Sequence, residues 1–227
     1  VDRFVFPRWI NKFLLLALAG GGAAATYAAA VWTYGTLPGT LRAGYQPSQP
    51  VPFSHRLHAG ELKMDCRYCH YTVDKAAHAA VPATSTCLNC HSGKYSDGTA
   101  PYTAIHSDSV KLLPVRESQT SGKPVEWNRI HDLADYVYFN HMAHVNAGVS
   151  CVVCHGRIDT MDVVYQEKDL SMAWCITCHR NPEPSLRPLE YITQLDWVPD
   201  RDPAEVGAEV AAQLDVHANT NCSTCHR

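Results

Sequence analysis

The sequence predicts a mainly α-helical and irregular protein with little sheet: an N-terminal transmembrane helix, then a domain packed around prosthetic groups. Three observations carry that expectation. Residues Phe13 to Tyr34 contain no charged side chain. Every cysteine lies in one of five C-x-x-C-H motifs. The 186 residues from 42 to 227 leave about 37 per motif, too few to enclose a large cofactor in an apolar core of its own.

The apolar segment comes first. Twenty-two residues at helical rise span about 33 Å, enough to cross the hydrocarbon layer. Arg3, Arg8 and Lys12 precede it, and Trp9, Trp32 and Tyr34 stand at its ends as interfacial anchors. The positive-inside rule predicts a single pass through a bacterial cytoplasmic membrane, with the N-terminus cytoplasmic and the remainder periplasmic. A cleaved signal peptide is the rival reading, because the run Phe13–Ala19 is short and Ala23–Ala25 or Ala28–Ala30 offer small-residue cleavage sites. A retained anchor is expected. Gly20, Gly21 and Gly22, extended by Ala23, Ala24, Ala25 and Ala28, let membrane helices approach one another closely. The anchor is assigned to residues 1–41 and the outer domain to residues 42–227.

The five motifs begin at Cys66, Cys87, Cys151, Cys175 and Cys222, with second thiols at Cys69, Cys90, Cys154, Cys178 and Cys225. The adjacent histidines are His70, His91, His155, His179 and His226. This spacing suits covalent haem c: two thiols form thioethers to the vinyl groups, and the histidine reaches the iron as an axial ligand. Zinc ribbons pair two C-x-x-C units per metal, so five units leave one stranded. Neither zinc nor a disulfide framework accounts for a histidine after every second cysteine. Five covalent haems are therefore expected, with no disulfide and no reactive thiol left over. Haem c is attached on the outer side of the bacterial membrane, in agreement with the topology.

A module appears twice in the outer domain. Phe53-Ser54-His55-Arg56-Leu57-His58 precedes the motifs at Cys66 and Cys87, and Phe139-Asn140-His141-Met142-Ala143-His144 precedes those at Cys151 and Cys175. The modules span residues 53–91 and 139–179. The first motif follows the first histidine by eleven residues in one copy and by ten in the other. The fifth motif, 222–226, is an addition without a partner unit. Residues 92–130, with Gly93, Gly98, Pro101, Pro114, Gly122 and Pro124, read as a long irregular insertion. Pro203 to Leu214 reads as a helix, with proline in its first turn and Val206, Val210 and Leu214 on one face.

Eight of the 13 histidines are not part of a motif. His55, His58, His141 and His144 are the best candidates for sixth ligands, since a spacing of three places two imidazoles on one side of a helical turn. Met172, in the apolar run before Cys175, and His131, just ahead of the second module, compete for the fifth position; core packing is the other reading of Met172. His78 ranks slightly lower. His217 and His106 are weaker still, the latter expected on the surface. Irons with two protein ligands have no open site, so the pattern points to electron transfer rather than to a reductase. The net charge of −3 gives no indication of a nucleic-acid partner.

The anchor, the F-x-H-x-x-H units, the paired motifs and the terminal fifth motif resemble the pentahaem cytochrome subunit of bacterial alternative complex III. The stretches Cys66–His91 and Phe139–Arg180 carry most of the resemblance. It implies a membrane complex that oxidises quinol and passes electrons to a periplasmic acceptor. It also implies an iron–sulfur subunit, a monohaem cytochrome c and polytopic membrane subunits as partners, with quinol chemistry residing in those other subunits. Two alternatives stay open: a membrane-anchored multihaem quinol dehydrogenase feeding periplasmic reductases, and a catalytic pentahaem reductase. Some thirty residues between Tyr34 and Cys66 count against direct quinol contact in the first. Histidine in all five motifs counts against the second.

Overall fold

The computed structural model describes residues 6–7, 9–36, 42–92 and 105–226. Contacts divide the chain at Arg42/Ala43. In the N-terminal unit, helix α1 (Trp9–Thr36) extends the charge-free segment by four residues at its start and two at its end. Its 28 residues amount to about 42 Å of helix. The helix starts just after Pro7, whose carbonyl accepts from the Ile10 N–H. The window Lys12–Gly35 is long and apolar enough to cross a membrane, and none of it is buried within the chain. Arg3 and Arg8, on which the expected orientation rests, lie outside the described residues.

The second unit is helical and irregular. Among the described residues its only extended pairings are two isolated antiparallel bridges, Val137 with His226 and Val149 with Leu186. Its helices are short: α2 (Cys66–Cys69), α3 (Thr84–His91), α4 (Leu113–Ser121), α5 (His141–Asn146), α6 (Cys151–His155), α7 (Met172–Arg180), α8 (Pro203–Leu214) and α9 (Cys222–Cys225). Apolar burial is sparse among the described residues, with Val51, Met161, Leu186, Ile192, Val206 and Val210 among the few buried apolar side chains.

Helix α8 has the expected bounds. Asp202 caps it by accepting from the Ala204 N–H, Pro203 occupies its first turn, and Val206 and Val210 are buried. Gly207 lets it lie directly on the backbone of Glu183, where a Cβ would overlap the carbonyl. The expected irregular insertion needs correction. Its described part holds a 3-10 turn (Val110–Leu112) running into α4, with Pro114 in the first turn and Gly122 ending the helix in the left-handed conformation at φ +70°. These two residues bound a helix instead of breaking a loop. Gly93, Gly98 and Pro101 lie outside the described residues.

The duplicated modules interlock reciprocally. The Arg56 N–H donates to the Met161 carbonyl, ten residues after Cys151; the Met142 N–H donates to the Ala76 carbonyl, ten residues after Cys66. Arg56 and Met142 are equivalent positions, each following the first histidine of its module. Each histidine turn is thus held by the chain that leaves the other module's first motif. Ser54 and Arg56 bond to Asp162 on one side, and Asn146 to the Asp74 carbonyl on the other.

The two histidine turns differ in winding. The second is α-helical, but the first is a π-helical turn (Arg56–Glu61), with the Leu62 N–H donating to the Leu57 carbonyl. A π turn spends one more residue per hydrogen-bonded ring than an α turn. It absorbs the extra residue of the first copy and keeps both modules in register.

Candidate haem sites

Each C-x-x-C-H motif forms one helical turn. Cysteines three apart share a face, and the histidine follows on the same side one residue later. The turns are capped locally: Asp65 accepts from the Arg67 N–H at α2, and Ser171 from the Trp174 N–H at α7. Arg67 holds the Asp65 carboxyl down to about 2, chiefly through their hydrogen bond. At α6, Ser150 is buried and its hydroxyl donates to the Ile192 carbonyl. No disulfide joins any of the ten cysteines. Among the described residues, no three His, Cys, Asp or Glu side chains converge to hold an ion by themselves.

The motif histidines are oriented through Nδ1. His70 donates to the Ala80 carbonyl (2.7 Å), His91 to Ile105 (2.7 Å), His179 to Asn219 (2.8 Å) and His226 to Tyr136 (3.3 Å). Outside the motifs, His58 donates to Ser54 (2.9 Å), His144 to Asn140 (2.8 Å) and His141 to Ala77 (3.0 Å). A histidine whose Nδ1–H is engaged by a carbonyl presents a lone pair at Nε2, the form a metal requires.

Three pairs of these rings face each other at similar separations. Ring centres lie 6.3 Å apart for His58 and His91, 6.0 Å for His144 and His179, and 6.4 Å for His141 and His155. Two metal–nitrogen bonds of about 2 Å, plus about 1 Å from each nitrogen to its ring centre, require about 6 Å. The residues present therefore fit an iron between each pair. His55 and His70 are close enough to repel electrostatically, the relation equivalent to His141 with His155 in the duplicate. Phe53 and Phe139 brace the pairs alike: each meets the first histidine edge-on, at 4.9 and 4.8 Å, and stacks on the second, at 4.3 and 4.4 Å.

Burial disfavours the charged form of four of the imidazoles. It depresses His55 to about 4 and His155 to about 3, with neighbouring histidines adding to the shift, and it lowers His131 and His144 as well. The buried Nδ1 of His55 has no hydrogen-bond partner, unlike that of its duplicate His141. Among the thiols, burial pushes Cys154 up to about 12. Cys66 is raised and Cys151 lowered by the hydrogen bond between them.

The remaining candidates separate. His131 is placed against His155, with its Nε2 3.2 Å from His155 Nδ1 and ring centres 4.3 Å apart, too close for an iron between them. Met172 opens α7 with two thirds of its surface exposed, so it is not a core residue. His78, His106 and His217 are exposed, and His217 pairs with Asp215. Two groups that sequence reasoning passed over also contribute. Ala77 orients His141 through its carbonyl, and Tyr136 holds His226 through its carbonyl while its ring lies 5.7 Å away. Backbone acceptors carry no side-chain signal, so nothing in the sequence marks them.

A mainly helical, irregular architecture with repeated C-x-x-C-H turns and opposed histidines defines a multihaem cytochrome c domain, whose chemistry is electron transfer. Residues 38–113 match the class III cytochrome c family, and residues 137–227 match cytochrome c7 and related cytochrome c. The two matches divide the chain as the modules do. The chain is 28% identical over 156 residues to the menaquinone reductase, multiheme cytochrome c subunit, of Nitratidesulfovibrio vulgaris (Hildenborough). That alignment covers 60% of this chain and 70% of the relative.

Proposed function

We propose that this chain is the electron-transfer subunit of a quinol-oxidising membrane complex of the alternative complex III type, carrying five covalent haems c and delivering electrons to a periplasmic acceptor. The observation that best supports the reading is the set of opposed histidine pairs at 6.0 to 6.4 Å, each ring tied through Nδ1. Haem c held there would supply a one-electron iron couple. The cysteines of the five motifs would attach the groups. His70, His91, His155, His179 and His226 would be the proximal ligands, and His55, His58, His141 and His144 the distal ligands of the first, second, third and fourth sites. For the fifth, Met172 would be the sixth ligand, since the Nε2 of His131 is engaged by His155.

On this reading the chain is not an enzyme by itself. It works as the haem-bearing periplasmic domain, residues 42–227, of a single-pass protein anchored through residues 1–41 with its N-terminus in the cytoplasm. An iron–sulfur subunit, a monohaem cytochrome c and polytopic membrane subunits are its partners. The relative's name favours a second reading, in which the same relay feeds electrons to menaquinone.

Mass spectrometry of the mature chain tests the cofactor count, five thioether-linked haems being expected and fewer overturning it. Magnetic spectroscopy should show low-spin iron only; a large high-spin, ligand-binding signal would favour a reductase. Purification from membranes should yield the iron–sulfur and polytopic subunits with it. Quinol-driven reduction of a soluble cytochrome supports the first direction of flow, and menaquinone reduction by a reduced donor without quinol oxidation supports the second.

A further inference from the structure

The two histidines of each module stand on one turn and face the two motifs of that module, so those motifs are neighbours. The turn of His55 and His58 joins the first and second sites, and α5, with His141 and His144, joins the third and fourth. The relation between modules follows from their reciprocal hydrogen bonds, Arg56 to Met161 and Met142 to Ala76. Such a reciprocal arrangement brings equivalent residues together at its centre. Asp65 and Ser150, which precede the equivalent cysteines Cys66 and Cys151, bond to the adjacent residues Thr193 and Ile192, which sets the first and third motifs side by side.

The fifth motif continues the row beyond the fourth. His179 Nδ1 donates to the carbonyl of Asn219, three residues before Cys222. The Tyr138 N–H donates to the Cys225 carbonyl, and Val137 bridges His226, which fastens α9 to the chain entering α5.

We infer that the five attachment sites form one unbranched row in the order second, first, third, fourth and fifth motif, with Cys87–His91 and Cys222–His226 as its ends. The row is symmetric about the contact of the first and third motifs, and the fifth makes it longer on one side only. Electron donor and acceptor therefore meet the protein at the second and fifth motifs, and the motif nearest the N-terminus in sequence is interior. This order rests on the proposed haem loading.

The test uses the full-length, haem-loaded protein and a redox titration followed by NMR of the haem methyl resonances, which assigns each centre separately. Removing one site by double Cys→Ala substitution shifts only the potentials of its neighbours. Cys87→Ala with Cys90→Ala should move one remaining centre, Cys222→Ala with Cys225→Ala one, and Cys151→Ala with Cys154→Ala two. If these variants do not fold, His58→Met and His144→Met perturb the second and fourth sites in place, with one and two neighbours responding. A second site with two responding neighbours, or a fifth site that answers to the third, overturns the order. Fewer than five covalent haems in the unsubstituted protein overturns the functional reading instead, so the two failures are distinguishable.

Discussion

The Nε2 of His131 lies 3.2 Å from the Nδ1 of His155, where the other four motif histidines have a backbone carbonyl. With the Nδ1 of His155 as donor, His131 would do for it what Ala80, Ile105, Asn219 and Tyr136 do for its counterparts: fix the tautomer and leave Nε2 for a metal. His131 is on this account a positioning residue. With His131→Ala, the third site should remain low-spin, because both axial nitrogens survive. Its potential should rise, by up to about 60 mV, as His155 loses an acceptor and becomes a poorer electron donor. Conversion of one centre to high spin would identify His131 as an iron ligand.

Met172→Leu tests the fifth site. One centre, and no other, should lose its sixth ligand and turn high-spin, or fall in potential if a stronger nitrogen donor takes the vacant position. An unchanged spectrum and an unchanged redox titration would remove Met172 from the ligand set.

Acidification has a defined sign. His55 is depressed in the folded chain to about 4, mainly by burial, and titrates in the unfolded chain near 6.5. Between those values the unfolded chain binds more protons, so stability is highest above about 6.5 and declines as the pH falls toward about 4. The loss from this one residue is on the order of 3 kcal/mol. Iron bound at Nε2 would compete further with the proton. The low-spin absorption spectrum should therefore hold from neutrality down to pH 5 and convert only below about 4. Conversion centred near 6.5 would mean that His55 is solvated.

Gly207→Ala should destabilise the outer domain by about 1–3 kcal/mol, since a Cβ there meets the backbone of Glu183 and α8 must move off the turn it packs against. Denaturant unfolding read by tryptophan fluorescence measures this, with Ala208→Gly on the exposed face of the same helix as the control for helix propensity. Equal stability of Gly207→Ala and the unsubstituted protein would contradict the packing.

The legible part of the fold was local. Helix α8 could be read because its first-turn proline and the spacing of Val206, Val210 and Leu214 all lie within its own twelve residues. Helix α4 is hidden in the sequence because Pro114 and Gly122 end structure in most contexts, and only their separation by one helix length makes them its two boundaries. The one-residue difference between the modules was visible as a spacing. Its resolution as a π turn depended on the Arg56 bond to Met161, about a hundred residues away. Four histidines were recognisable as ligand candidates from the repeat, whereas the role of His131 depended on which side chain it met.

By itself the sequence determined the attachment chemistry, the apolar helix and the duplicated module. Each is written within one turn or one continuous run: two thiols and an imidazole share a helical face at i, i+3 and i+4, and a charge-free stretch needs only length. Tertiary structure alone decided which histidine faces which and in what row the sites stand. His58 meets His91, and His144 meets His179, only after the chain has folded back over more than thirty residues. The first and third motifs adjoin because each module closes on the other's backbone. Those contacts are made by carbonyls and N–H groups common to every residue, and side-chain identity does not encode where they meet.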